Sequence, residues 1–89
     1  MYGVKENKCL EEFTICRFQD TLEINGSTRE SRIFHHDKIT AESAVIVNFS
    51  GTYYPGITFE IVVGNGTALV TVVYDGEDSF PITYNVTVI

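Results

Sequence analysis

Residues 57–75 read ITFEIVVGNGTALVTVVYD, and this stretch decides the fold class. Ile57, Phe59, Ile61 and Val63 alternate with Thr58, Glu60 and Val62, the period of two that sends alternate side chains to opposite faces of a β-strand. Gly64-Asn65-Gly66 then offers residues that accept positive φ, as a tight hairpin turn requires. Beyond the turn, Ala68, Val70, Val72 and Tyr74 alternate with Thr67, Leu69, Thr71 and Val73. Both of those sets are largely apolar, which places this second strand in the centre of a sheet.

Working outward, Asp75-Gly76-Glu77-Asp78 interrupts the pattern and Pro81 delays its return. Ile82, Tyr84, Val86 and Val88 then alternate with Thr83, Asn85, Thr87 and Ile89. Three consecutive strands predict a C-terminal antiparallel meander. Upstream, residues 38–49 carry Val45, Val47 and Phe49 on one face, with Ile46 and Asn48 on the other. Residues 12–18 and 21–24 are rich in strand formers, and Asn25-Gly26-Ser27 reads as a second hairpin turn into residues 28–34. No stretch sustains a helical repeat, although a short helical turn fits residues 8–12. The expectation is an all-β domain of about seven short antiparallel strands, closed as a two-sheet sandwich or a small Greek-key barrel. Such a sandwich is immunoglobulin-like in architecture alone. The chain has no Trp, and its two cysteines sit together near the N-terminus instead of bridging two sheets.

Eighty-nine residues make one domain, spanning 1–89. Apolar residues at 44% and charged residues at 20% exclude a disordered chain. The net charge of −6 repels phosphate, which argues against nucleic acid and anionic membrane as direct partners. No apolar run approaches the about 20 residues of a membrane helix. The first residues carry charge with no apolar segment behind them, so no signal peptide is read. The expected location is the cytoplasm, or the outside of the cell if the chain is a trimmed mature form.

Cys9 and Cys16 are spaced to close a disulfide loop, or else are two buried or half-buried thiols; without a second pair they do not form a zinc site. Four of the five asparagines, Asn25, Asn48, Asn65 and Asn85, head an N-x-S/T triplet and are candidate N-glycan acceptors. The same triplets arise wherever Asn-Gly turns and Thr-rich strands meet.

Tyr53 and Tyr54 lie in a loop bracketed by Gly51, Pro55 and Gly56. Paired tyrosines on a loop suit contact with another protein, because the ring is apolar and the hydroxyl bonds readily. Asp75, Glu77 and Asp78 add an acidic turn that lacks the spacing of a calcium loop. His35, His36 and Asp37 stand in a row, but strand neighbours point to opposite faces, so no metal site is assigned to them. There is no nucleophile elbow, phosphate-cradling loop or zinc-protease motif, and neither catalytic residues nor a cofactor are expected. A domain of this size is also expected to enclose no ligand-sized pocket.

Three functions fit these features. The first is a non-enzymatic protein-binding module acting through an exposed loop or edge strand. The second is a cytoplasmic acidic inhibitor, of phage or mobile-element type, that occupies a basic, nucleic-acid-binding groove of a host protein. The third is a structural subunit that self-associates by strand pairing.

Overall fold

The structure is a computed structural model and describes residues 15–89. Those residues form six strands and no helix: β1 (Cys16–Asn25), β2 (Thr28–His35), β3 (Val45–Phe49), β4 (Ile57–Gly64), β5 (Thr67–Tyr74) and β6 (Ser79–Val88). They build two antiparallel sheets of three, ordered β1-β6-β3 and β2-β5-β4, stacked as a small β-sandwich. Each sheet takes as its centre the strand with the most buried side chains. Val70, Val72 and Tyr74 of β5 meet Leu22, Ile24, Ile82, Tyr84 and Val86 of the facing sheet in one buried cluster. A smaller cluster of Ile39, Ala68 and Val88 fills one end. Buried side chains of this size each contribute about 1.5–3 kcal/mol against exposure, so the two central strands carry most of the stability.

The β4–β5 hairpin forms as the sequence predicts. Asn65 and Gly66 turn the chain between the paired Gly64 and Thr67, with Gly66 at φ 83°. The inward sets of β4, β5 and β6 are those that the alternation assigns.

The neighbours differ from expectation. β6 pairs with β1 and β3 and not with β5, so the C-terminal meander is replaced by a hairpin followed by a crossover to the other sheet. Asn25-Gly26-Ser27 is likewise no hairpin, because β1 and β2 belong to different sheets. The physical reason is shared. β1 pairs with β6 along its whole length, and β2 pairs with β5 along its whole length. The two ladders are one long two-stranded ribbon bent over on itself. Gly26, at φ 65°, and residues 75–78 form the bend, tied together by the Gly26 N–H donating to the Asp78 carbonyl at 2.9 Å. A positive-φ glycine can turn a strand through a corner as readily as reverse it, and the corner lets β5 and β6 bury their apolar faces against each other.

Two further boundaries shift. The strand expected over residues 38–49 is confined to β3, because residues 36–44 bend through local hydrogen bonds such as Ser43 N–H to the Thr40 carbonyl. Within the described residues, the separate strands expected at 12–18 and 21–24 are one, β1, held continuous by its pairing with β6; residues 12–14 lie outside the described residues. The described residues therefore hold six strands, against about seven expected for the whole chain, and their two separate sheets exclude the barrel closure. The helical turn considered at residues 8–12 lies outside the described residues.

Candidate binding groove

The sandwich has two open sides, and they are built from opposite chemistry. On one, the edge strands β1 and β2 face each other. Asp20 breaks the apolar inner row of β1, and Glu30 and Arg32 occupy the matching row of β2. Arg32 Nε donates to Asp20 Oδ2 at 3.0 Å, and Arg32 Nη1 donates to Glu30 Oε2 at 3.1 Å. The hydroxyl of Tyr84, whose side chain is fully buried, donates to the same Asp20 oxygen at 2.8 Å. Burial first, and then the bond to Asp20, push the Tyr84 hydroxyl far above its usual pKa; the hydrogen bond to Asp20 raises that of Arg32. These groups cross-link the two sheets along this side. Sequence reading missed the cluster, although Asp20 between Phe18 and Leu22 was its visible signal.

On the other side, β3 and β4 face each other across aromatic carbon. A groove of about 470 Å³ opens between them, lined by Val47, Asn48, Phe49, Gly51, Tyr53, Ile57 and Phe59. The expectation of no ligand-sized pocket is corrected to that extent. The Phe49 and Phe59 centroids lie 5.4 Å apart, and Phe59 continues to Tyr84 at 5.3 Å. The groove floor is thus continuous with the core.

The two tyrosines singled out in the sequence part company. Tyr54 is half-buried, stacked on Phe80 at 4.6 Å and 19°, and closes the end of the core. Tyr53 is 70% exposed and stands edge-on to Phe49 at 5.5 Å and 83°, forming the rim of the groove. Gly51 and Gly56, both at φ 93°, let the loop between β3 and β4 make this excursion. Asp75, Glu77 and Asp78 are all exposed at the bend, the end of the sandwich to which the tyrosine loop also belongs.

A row of unsatisfied backbone runs beside the groove. The two-residue turn closes on the Gly64–Thr67 pair, so the even-numbered residues of β4 exchange hydrogen bonds with β5. The N–H and C=O groups of Phe59, Ile61 and Val63 therefore point away from β5. No strand among the described residues pairs with that edge. Proteins protect free edges with inward charges, brevity, proline or lysine. β1 has the inward Asp20, β2 has the inward Glu30 and Arg32, and β3 has five residues. β4 has eight residues, an inward row of Ile57, Phe59, Ile61 and Val63, and no proline or lysine. Its one charge, Glu60, lies on the outer face and pairs with Arg29 at 2.7 Å. Val62 on that outer face is 63% exposed, and Ile61 of the inward row is 38% exposed.

The remaining candidates are dispersed. His35 stands exposed on the outer face of the β2-β5-β4 sheet, while His36 Nδ1 accepts the Lys38 N–H at 3.2 Å. No group of three metal-ligating side chains occurs among the described residues. Cys16 is half-buried near Ile39 and Val88, where burial raises its thiol pKa; the Cys9 half of the considered disulfide lies outside the described residues. Asn48 and Asn85 are directly paired across strands on the outer face of the β1-β6-β3 sheet, where Asn85 Oδ1 accepts from Gln19 at 3.0 Å. Asn25 ends β1 exposed, and Asn65 Oδ1 accepts the Ala41 N–H at 3.2 Å.

No family model matches the chain, and neither a curated protein nor a solved structure matches it.

Proposed function

We propose that this sandwich, immunoglobulin-like in its two-layer architecture, is a non-enzymatic protein-binding module whose partner adds a β-strand to the free edge of β4. The observation that carries the reading is the contrast among the four edges: three are guarded and β4 is not. Strand addition supplies affinity through main-chain hydrogen bonds and specificity through pockets for alternate side chains. Phe59, Ile61 and Val63 offer the first. The groove beside them, with Tyr53 on its rim, offers the second. The long apolar inner row of β4 supports this site over the acidic bend. Asp75, Glu77 and Asp78 are exposed turn residues outside the groove.

The test is selection of 12-residue peptides from a random display library, with the binding site of the winners mapped by amide chemical shifts. Peptides of alternating apolar pattern that shift Phe59, Ile61 and Val63, and that bind more weakly to Tyr53→Ala, support the proposal. Winners that map instead to residues 75–78 and fall away at high salt refute it in favour of the acidic inhibitor.

A further inference from the structure

We infer that the strand added to this edge is β4 of a second copy of the chain, running antiparallel, with Ile61 facing Ile61 of the second copy. The inference rests on the reading of the β4 edge as the binding surface and names its occupant.

The free backbone groups belong to odd-numbered residues, so an antiparallel partner must set odd residues against odd ones. Two-fold pairing about Ile61 does so. Ile61 meets Ile61, and Phe59 meets Val63 in both directions, giving three narrow pairs that each exchange two hydrogen bonds. Side chains match as well. On the inner face a large Phe stands against a smaller Val at each end, with Ile against Ile between them. On the outer face Glu60 stands against Val62, whose exposed surface lies within reach of the Glu60 methylenes of the second copy. Sliding the register to centre on Glu60 would oppose two carboxylates directly.

Charge permits this arrangement despite the net −6 of each chain. The Ile57 end of β4 lies opposite Tyr74, next to the acidic residues 75–78. Antiparallel pairing carries the two acidic bends to opposite ends of the joined sheet. Their strand positions are then separated by about 26 Å at 3.3 Å per residue. That exceeds the Debye length of about 8 Å at physiological salt, so the two bends barely repel. The product is a continuous six-stranded sheet, β2-β5-β4-β4-β5-β2, whose outer edges are the charge-guarded β2 strands. Assembly therefore stops at two.

The experiment is sedimentation equilibrium of the full chain over a concentration series reaching about 1 mM, enough to populate a dimer of millimolar Kd. The native chain is expected to pass from one to two chain masses and no further. Val62 is exposed, so charges placed there leave the monomer folded, and the Ile61-centred register sets them against Glu60 of the second copy. Val62→Lys should tighten association about tenfold and Val62→Glu should weaken it about tenfold, from two cross-strand charge pairs per dimer. Thr58→Lys makes the same change in net charge opposite Gly64 and should tighten it far less. A monomer at every concentration overturns the inference. So does a dimer in which Val62→Lys and Thr58→Lys behave alike, or in which Val62→Glu has no effect. If the chain is monomeric while selected peptides still shift Phe59, Ile61 and Val63, the edge is a binding surface for a foreign strand, and only the second copy is excluded.

Discussion

Asp20→Ala removes the one acceptor that two elements of the fold share, and its cost can be worked from the geometry. Tyr84 is fully buried, and its hydroxyl donates to Asp20 Oδ2 at 2.8 Å. Leaving that hydroxyl without a partner costs about 1–3 kcal/mol. Arg32 loses its 3.0 Å contact but is about one-third exposed and keeps Glu30, so its loss adds little. The single substitution should therefore destabilise by about 2 kcal/mol. Tyr84→Phe removes the donor instead and should cost about 1 kcal/mol, since Asp20 retains Arg32 and some water. In the double variant the unsatisfied hydroxyl is gone, and the total should fall short of the sum of the singles by about 1–2 kcal/mol. Urea unfolding followed by far-ultraviolet circular dichroism on all four proteins measures that coupling. Additivity within about 0.5 kcal/mol would show that the buried Tyr84–Asp20 bond, which joins β6 to β1 within one sheet, does not stabilise the fold.

Three further outcomes are expected. The raised Tyr84 pKa gives alkaline lability its sign: ionisation is disfavoured in the fold, so this stability is complete below the unfolded value near 10 and drains away above it. Unfolding free energy should fall by about 1.4 kcal/mol per pH unit there, with a smaller start from Cys16, and urea titrations at pH 9 to 11.5 should find a shallower slope in Tyr84→Phe. Tyr53→Ala should leave stability within about 0.5 kcal/mol of native, while Tyr54→Ala, which empties the space stacked on Phe80, should cost about 3 kcal/mol in thermal or urea unfolding. Gly76→Ala should cost about 1–3 kcal/mol in the same assay. Its Cβ would overlap the ring and hydroxyl of Tyr74, which is 8% exposed and held edge-on by Phe80.

Face assignments were legible in the sequence and neighbour assignments were not. A period of two states which side chains of β4, β5 and β6 share a face, and the structure buries those sides. It carries no term for which strand lies alongside. Gly26 illustrates the gap: Asn-Gly between two β-rich runs fits a hairpin and a corner equally, and the choice was made by β6, more than fifty residues downstream. The same holds at the site. Tyr53 and Tyr54 are adjacent and of one type, so composition could not tell the groove rim from the core cap. What separates them is the position of Phe80, on another strand. The unguarded edge could be recognised only after the order of strands was known, because a guard is a property of an edge and not of a residue. Asp20 was readable in advance, as a carboxylate in an apolar row.

The bent ribbon also dictates an order of events as the chain leaves the ribosome. When synthesis has passed Phe49, β1, β2 and β3 are all present, and none has a partner. β1 and β3 must wait for β6, and β2 must wait for β5. The β4–β5 hairpin is the one local pairing, so it is the natural nucleus, and closure of the ribbon over long sequence separations sets a folding time in the millisecond-to-second range of all-β domains. During that wait the charges on the inner rows, Asp20 in β1 with Glu30 and Arg32 in β2, interrupt the apolar pattern of strands that have nothing to cover them. The groups that later join the two sheets thus first keep the unfinished chain from pairing with its neighbours.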